Sequence, residues 1–277
     1  MAMTQFAGSV AVITGGASGI GFATAGVLRE RGAHVVLGDI NAEGVQKAQE
    51  RLHQENPGAQ GEVLAIPVDV TNASQVQELM KRTEEAFGSI DLVVTCAGIG
   101  RGGPIDTFTS SDMQTLMNIN FMGTYNCVVS ALPAMRRQGS GYFVFLSSVA
   151  SKLGTPMLSG YCASKWAVRG FSAALRAELY GTGIGVTTVY PAWVDTPMVH
   201  QETEEGRLLN VQIMLTPRQV AAEIVQAVTE GKRDLTLAPN PDIAFALQLF
   251  AADQDKAEDL MGQSIQRQLA NLANQSS

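Results

Sequence analysis

Tyr161-Cys162-Ala163-Ser164-Lys165 sets a phenol and an ammonium four residues apart in a stretch of helical character that follows an apolar strand. On a helix such residues sit side by side, with Cβ atoms about 5–6 Å apart. A free tyrosine titrates at about 10, too high for a base at neutral pH. A neighbouring cation favours the phenolate and lowers that value. None of the other tyrosines has a lysine at this spacing. Ser148 stands just past the end of the preceding strand, where open α/β sheets gather their ligands. Proton transfer at an oxygen held by a hydroxyl is the chemistry this set can perform.

A second constellation lies near the start of the chain. The first strand runs into Thr14-Gly15-Gly16-Ala17-Ser18-Gly19-Ile20-Gly21, and a helical stretch follows. Glycines permit a tight turn and let backbone N–H groups approach a pyrophosphate, while the helix N-terminus supplies partial positive charge. The cradle residues are Gly15, Ser18, Gly19, Ile20 and Gly21, in a spacing that differs from the commoner G-x-G-x-x-G dinucleotide fingerprint. Asp39 closes the second strand, where a carboxylate accepts hydrogen bonds from adenosine ribose hydroxyls and repels a 2′-phosphate. Ala17, Ser18 and Ile40 bring no positive charge to that place, so the expected cofactor is NAD rather than NADP. The positive ring of an oxidised nicotinamide would then add to Lys165 in favouring a Tyr161 phenolate.

Positioning these groups requires alternating strands and helices. Residues 9–13, 34–38, 63–68, 91–95, 142–146, 185–189 and 235–238 read as strands, near-continuously apolar as burial on both faces demands. Val76, Leu79, Met80, Thr83 and Phe87 recur at helical spacing, as do Val220, Ile224, Ala227 and Val228. The latter helix has a readable start, with Thr216 as cap, Pro217 in the first turn and Gln219 completing a capping box. The expectation is an α/β fold: a single domain over 1–277 with a doubly wound, mostly parallel sheet covered by helices on both faces. Its core spans about 8–238. Residues 197–215, polar and poorly periodic, form an excursion that would serve as a substrate lid. Residues 239–277 form a helical C-terminal extension, with Met261, Ile265, Leu269 and Leu272 on one stripe that packs on the body or on a neighbouring subunit.

Composition narrows the options. The 277 residues are 45% hydrophobic and 16% charged, against about 25% charged in ordinary domains, which excludes disorder as the main state. A net charge of −7 argues against nucleic-acid binding, which needs clustered Lys and Arg. Cys96, Cys127 and Cys162 are scattered, and so are His34, His53 and His200, so no metal site is expected. Sparse, odd-numbered cysteines suit a reducing cytoplasm. Residues 1–8 lack a basic segment leading into an apolar one, so no signal peptide is expected. No apolar run approaches the ~18 residues of a membrane span.

Taken together and in this order, Thr14-Gly15-x-x-x-Gly19-x-Gly21, Ser148 and Tyr161-x-x-x-Lys165 resemble the short-chain dehydrogenase/reductase family, and the likeness runs from about Gly8 to Lys232. The resemblance implies a Rossmann-type domain with a seven-stranded parallel sheet, and hydride exchange between a nicotinamide and an alcohol or carbonyl carbon. It makes Tyr161 the acid/base, Ser148 the hydrogen-bond partner of the substrate oxygen, and Lys165 the ligand of the cofactor ribose. Asn120 matches the family asparagine that holds a water in a proton relay to the lysine. Asp69-Val70 resembles the pair that contacts the adenine. Ala97-Gly98 resembles the end of the Asn-Asn-Ala-Gly turn beside the adenosine. Pro191 to Thr196 resembles the Pro-Gly-x-x-x-Thr segment, with Thr196 and the Val194 backbone at the carboxamide. Two departures stand out: Thr95-Cys96 replaces the double asparagine, and Ala192-Trp193 follows Pro191 in place of a glycine.

The expected activity is therefore an NAD-dependent interconversion of a secondary alcohol and a ketone. Loop 99–104, segment 150–159 and the excursion 197–215 would line a moderately hydrophobic pocket, with Met157, Leu158, Trp193, Met198, Leu208, Leu209 and Met214 as apolar walls. A catalytically silent NAD-binding regulator or scaffold is the alternative, since a fold never guarantees a reaction. Membrane attachment through Phe245, Leu247, Leu249 and Phe250 is not expected, because acids outnumber bases after Ala252. By family analogy the chain forms a homo-oligomer, a tetramer or dimer, built on the helices that hold Asn120 and Tyr161.

Overall fold

A computed structural model describes residues 2–204 and 212–275. Seven parallel strands form one sheet: β1 (Val10–Thr14), β2 (His34–Asp39), β3 (Val63–Pro67), β4 (Leu92–Thr95), β5 (Gly141–Leu146), β6 (Ile184–Pro191) and β7 (Asp234–Leu237). Their spatial order is β3-β2-β1-β4-β5-β6-β7. All seven expected strands are present, with ends shifted by a few residues at most. The order reverses direction between β1 and β4, and that switch point opens a crevice at the carboxyl edge.

The α-helices among the described residues are α1 (Gly19–Glu30), α2 (Ala42–Glu55), α3 (Ala73–Phe87), α4 (Ser110–Leu116), α5 (Gly123–Gln138), α6 (Ser159–Glu178), α7 (Pro197–Glu204), α8 (Pro217–Glu230), α9 (Pro241–Ala252) and α10 (Gln254–Gln275). One face of the sheet is covered from α1, α2 and α8, through Leu28, Leu52 and Ile224. The other is covered from α3, α5 and α6, through Leu79, Val128 and Val168. Each of these side chains is fully buried, contributing roughly 1.5–3 kcal/mol. Helix starts follow the sequence: Asn41 caps α2, Asn72 caps α3, and Thr216 with Gln219 forms the expected capping box of α8. Gly88 ends α3 in the left-handed conformation.

Three features depart from plain alternation. Met117–Met122 between α4 and α5 winds as a π-helix. The excursion after β6 begins with a helix, α7, rather than an irregular loop. After β7 the chain turns at Asn240, whose side chain accepts from the backbone of Asp242 and Ile243 to start α9. At the sheet's centre, where the expected asparagine pair is missing, Thr124 Oγ1 lies 3.4 Å from the buried Thr95 Oγ1. Among the described residues no helix is long and apolar enough to cross a membrane.

Candidate active site

The glycine turn after β1 is shaped for close approach. Gly15 has φ +68, and a Cβ there would stand 2.7 Å from the backbone nitrogen of Ala97. Gly19 has φ +54 and faces Thr196, while a Cβ on Gly21 would run into the carbonyl of Gly15. Only glycine fits these places. Ser18 precedes α1 in extended conformation and makes no side-chain cap, so the first-turn N–H groups stay available to an anion. Asp39 ties this turn to β2: its carboxylate accepts from the backbone of Ala17 (3.1 Å) and of Asn41 (3.0 Å). Ile40 beside it is 73% exposed. This cradle fits a dinucleotide pyrophosphate.

At the other end of the crevice, β5 ends at Leu146 and Ser148 follows in extended backbone. Its hydroxyl oxygen accepts from the Ala150 N–H at 3.2 Å and lies 3.5 Å from the carbonyl oxygen of Pro191. Tyr161 and Lys165 lie one turn apart in α6, and the Lys165 ammonium is 5.7 Å from the centre of the Tyr161 ring. Lys165 Nζ donates to the carbonyl of Leu146 at 2.9 Å. Burial draws that ammonium down to about 8, against the opposing influence of Cys96. Burial also pushes the Tyr161 phenol up to about 12, with the hydrogen bond to Ser148 pulling the other way. Without a nicotinamide, desolvation of the phenolate is the largest influence on Tyr161; the lowering expected from sequence combines Lys165 with the positive ring of an oxidised cofactor.

Asn120 is 1% exposed in the π-helical turn and does not line the crevice. Its Oδ1 accepts from the Ile99 N–H (2.9 Å), and its Nδ2 donates to the Ile99 carbonyl (3.1 Å) and to Ser164 Oγ (2.9 Å). The side chain thus fastens the loop after β4 to α6, behind Lys165.

The crevice has a volume of about 1200 Å³, more than the roughly 300–1,000 Å³ of ordinary ligand pockets. Gly15, Ser18, Gly19, Ile20, Gly21, Asp39, Ile40, Asp69, Val70, Ala97 and Gly98 line it together with Ser148, Tyr161, Lys165, Pro191, Val194 and Thr196. The structure therefore brings together every site residue expected from sequence except Asn120, which stands behind the wall. Asp69 carries a turn of its own, its Oδ1 accepting from the Thr71 N–H at 2.9 Å. Met157, Leu158, Trp193 and Met198 line the crevice as expected, but Met214 does not and is 42% exposed. Leu208 and Leu209 lie outside the described residues, as do the side chains of Leu269 and Leu272.

Sequence reasoning missed Glu202, 5% exposed on α7, whose carboxylate accepts from the Gly102 N–H at 2.8 Å and joins the excursion to the loop after β4. No motif marks that pairing. Of the two places open to the C-terminal extension, its own body or a neighbouring subunit, α9 and α10 take the first and wall the crevice through Ile243, Ala246, Met261 and Ile265.

The chain matches the family model of the short chain dehydrogenases over residues 9–207. It is 33% identical over 241 residues to uncharacterized oxidoreductase SA2266 of Staphylococcus aureus (strain N315), covering 86% of this chain and 100% of that one. It is 32% identical over 228 residues to uncharacterized oxidoreductase SH0585 of Staphylococcus haemolyticus (strain JCSC1435), covering 82% and 94%. Among solved structures, a short chain dehydrogenase/reductase from Burkholderia phymatum in complex with NAD superposes with TM-score 0.81 at 29% identity, over 91% of this chain and 96% of that one. A variant of actinorhodin polyketide ketoreductase with NADPH gives TM-score 0.78 at 27% identity, over 85% and 98%. A crevice that holds Ser148, Tyr161 and Lys165 together with the Gly15–Gly21 turn thus sits on a fold and a sequence that agree: the chain belongs to the short-chain dehydrogenase/reductase family of oxidoreductases.

Proposed function

We propose that the protein interconverts a secondary alcohol and a ketone with NAD(H), Tyr161 serving as acid/base. The observation that carries this reading is the meeting of Ser148, Tyr161 and Lys165 in the same crevice as the Gly15–Gly21 cradle. When bound, the nicotinamide supplies or accepts the hydride. Ser148 donates a hydrogen bond to the substrate oxygen, its own oxygen held by the Ala150 N–H. Tyr161, kept a neutral phenol by burial, gives its proton to a carbonyl oxygen as hydride reaches the carbon, and takes a proton back in the oxidising direction. Lys165 binds the cofactor ribose, and in the oxidising direction its charge and that of the nicotinamide favour the phenolate. Val194 and Thr196 meet the carboxamide, Asp69 and Val70 the adenine, and Ala97 and Gly98 the adenosine. Asn120 acts as a positioning residue for loop 99–104 and α6.

Asp39 supports NAD over NADP, since its carboxylate would repel a 2′-phosphate. Residues 197–215, of which 205–211 lie outside the described residues, act as the lid of a single domain that the helices after 239 complete. Three free cysteines support a reducing, cytoplasmic setting. Half-exposed Tyr125 and Val129 on α5 and Trp166 on α6 support assembly of copies across these helices, as a tetramer or dimer. The test is Tyr161→Phe: NADH affinity stays within twofold while turnover of a ketone panel falls about 10²–10⁴-fold. Comparable turnover in the variant refutes Tyr161 as acid/base, and NADH binding with no turnover by the wild type favours a silent regulator.

A further inference from the structure

The turn that carries Ser148 is held partly by groups that stand outside the crevice. Its root is fixed to the sheet, where the Ser147 N–H donates to the Val189 carbonyl of β6 at 2.9 Å. After Ser148 the chain winds as a single 3₁₀ turn, Val149–Ser151. The Ala150 N–H of that turn holds the Ser148 hydroxyl oxygen, so the place of the turn decides the place of the hydroxyl. Polar contacts then close its far side. Ser151 Oγ donates to the Ser148 carbonyl at 2.7 Å. Ser147 Oγ lies 2.8 Å from Ser151 Oγ and 3.0 Å from the Lys165 carbonyl, its one hydrogen shared between them. Arg169 Nη1 donates to the Ser151 carbonyl at 2.6 Å, a charge-assisted bond of the stronger kind.

Arg169 follows Lys165 by four residues, as Lys165 follows Tyr161, so the three form one row along α6. The first two line the crevice, whereas Arg169 and the buried Ser151 do not. Arg169 instead reaches back from the helix of Tyr161 to the turn of Ser148. The geometry points to Ser151 and Arg169, with Ser147 between turn and helix, as positioning residues that set the spacing of the Ser148 and Tyr161 hydroxyls around the substrate oxygen. This rests on the roles of Ser148 and Tyr161 given above and assigns what holds them in register. A misplacement of about 1 Å at reacting groups costs up to about 10²-fold in rate. Loss of either fastening is therefore felt in the chemical step before it is felt in cofactor binding.

The test measures single-turnover reduction of cyclohexanone and acetophenone by bound NADH. Ser151→Ala and Arg169→Met are each expected to slow it about tenfold or more, with NADH affinity within twofold of wild type. Arg169→Lys, which keeps a charged donor, is expected to recover most of the rate. Ile224→Val, a buried change on the far face of the sheet, is expected to lower the melting temperature and leave the rate within twofold. A second reading needs no turnover. The Ser148 hydrogen bond favours the Tyr161 phenolate, while Cys162 and Lys165, which also bear on that phenol, are untouched by the variants. Ultraviolet tyrosinate absorbance of the NAD-bound protein, each variant read against its own Tyr161→Phe counterpart, is expected to rise at higher pH in Ser151→Ala and Arg169→Met than in wild type, by about half a pH unit or more. Variants that melt early yet keep the wild-type rate, or that titrate with the wild type, overturn the proposal and leave the oxidoreductase reading in place. No reduction of either ketone by an NADH-binding wild type overturns both.

Discussion

Gly21→Ala presses a methyl group against the carbonyl oxygen of Gly15 and brings it within 2.9 Å of that carbonyl carbon. Both atoms are backbone, so no side chain can swing aside, and the turn that carries Gly15 must move. Overpacking of this kind costs typically 1–3 kcal/mol, and it displaces the N–H groups meant for the pyrophosphate. Gly26, five residues on in the same helix, gives the contrasting case. Its added methyl would meet only Leu52 Cδ2, at an ordinary 3.6 Å. There alanine is expected to stabilise by about 0.5–1 kcal/mol, because a mid-helix glycine loses more freedom on folding. Fluorescence titration with NADH and thermal melts of both variants check this. Gly21→Ala is expected to weaken NADH at least tenfold, about 1.4 kcal/mol, and to melt several degrees below Gly26→Ala, at roughly 2–4 °C per kcal/mol. A Gly21→Ala protein that binds NADH within twofold of wild type and melts with Gly26→Ala would refute the close-approach argument.

Two further outcomes are expected. Lys165 falls from 10.5 unfolded to about 8 folded, so between those values the unfolded chain binds the extra proton and stability rises with pH. Denaturant titrations of the cofactor-free protein should therefore show wild type gaining up to roughly 3 kcal/mol over Lys165→Met as pH climbs from about 8 towards 10.5; a flat difference contradicts the buried ammonium. Replacing Asp39 by Ser and Ile40 by Arg together should shift the ratio of NADH to NADPH affinity by at least tenfold towards NADPH, since a 2′-phosphate then meets a cation in place of a carboxylate. An unchanged ratio removes Asp39 from cofactor choice.

The strands and the two motifs were legible because each leaves a local signature. Apolar runs mark β1 to β7, and Gly15, Gly19 and Gly21 stand where a Cβ cannot. Their meeting at the β1/β4 switch point followed from topology. The burial that raises Tyr161 in the cofactor-free chain was not legible, since it depends on how loops close over the site, and the spacing of Tyr161 and Lys165 carries only the charge. The role of the Asn120 side chain was hidden because nothing in Met117–Met122 announces a π-helical turn. The apolar stripe on α10 showed that a face needed covering. That Met261 and Ile265 cover the crevice depends on the Asn240 turn and its link to Gln212, a long-range contact with no local mark. Met157, an apolar wall by sequence, stands in left-handed conformation with φ 67, and its carbonyl accepts from the Gly103 N–H at 2.8 Å.

The widened turn at Met117–Met122 works as a phase shifter. A helix advances by about 100° per residue, so one surplus residue in a turn rotates everything downstream by that angle. Within the slip Asn120 reaches α6, while downstream Asn126 reaches the Val70 carbonyl at 2.9 Å and Cys127 enters the sheet-facing core. A uniformly wound rod could satisfy one of these addresses only at the expense of the other. The segment's residue count, more than its residue types, is what keeps the two halves of the crevice in step.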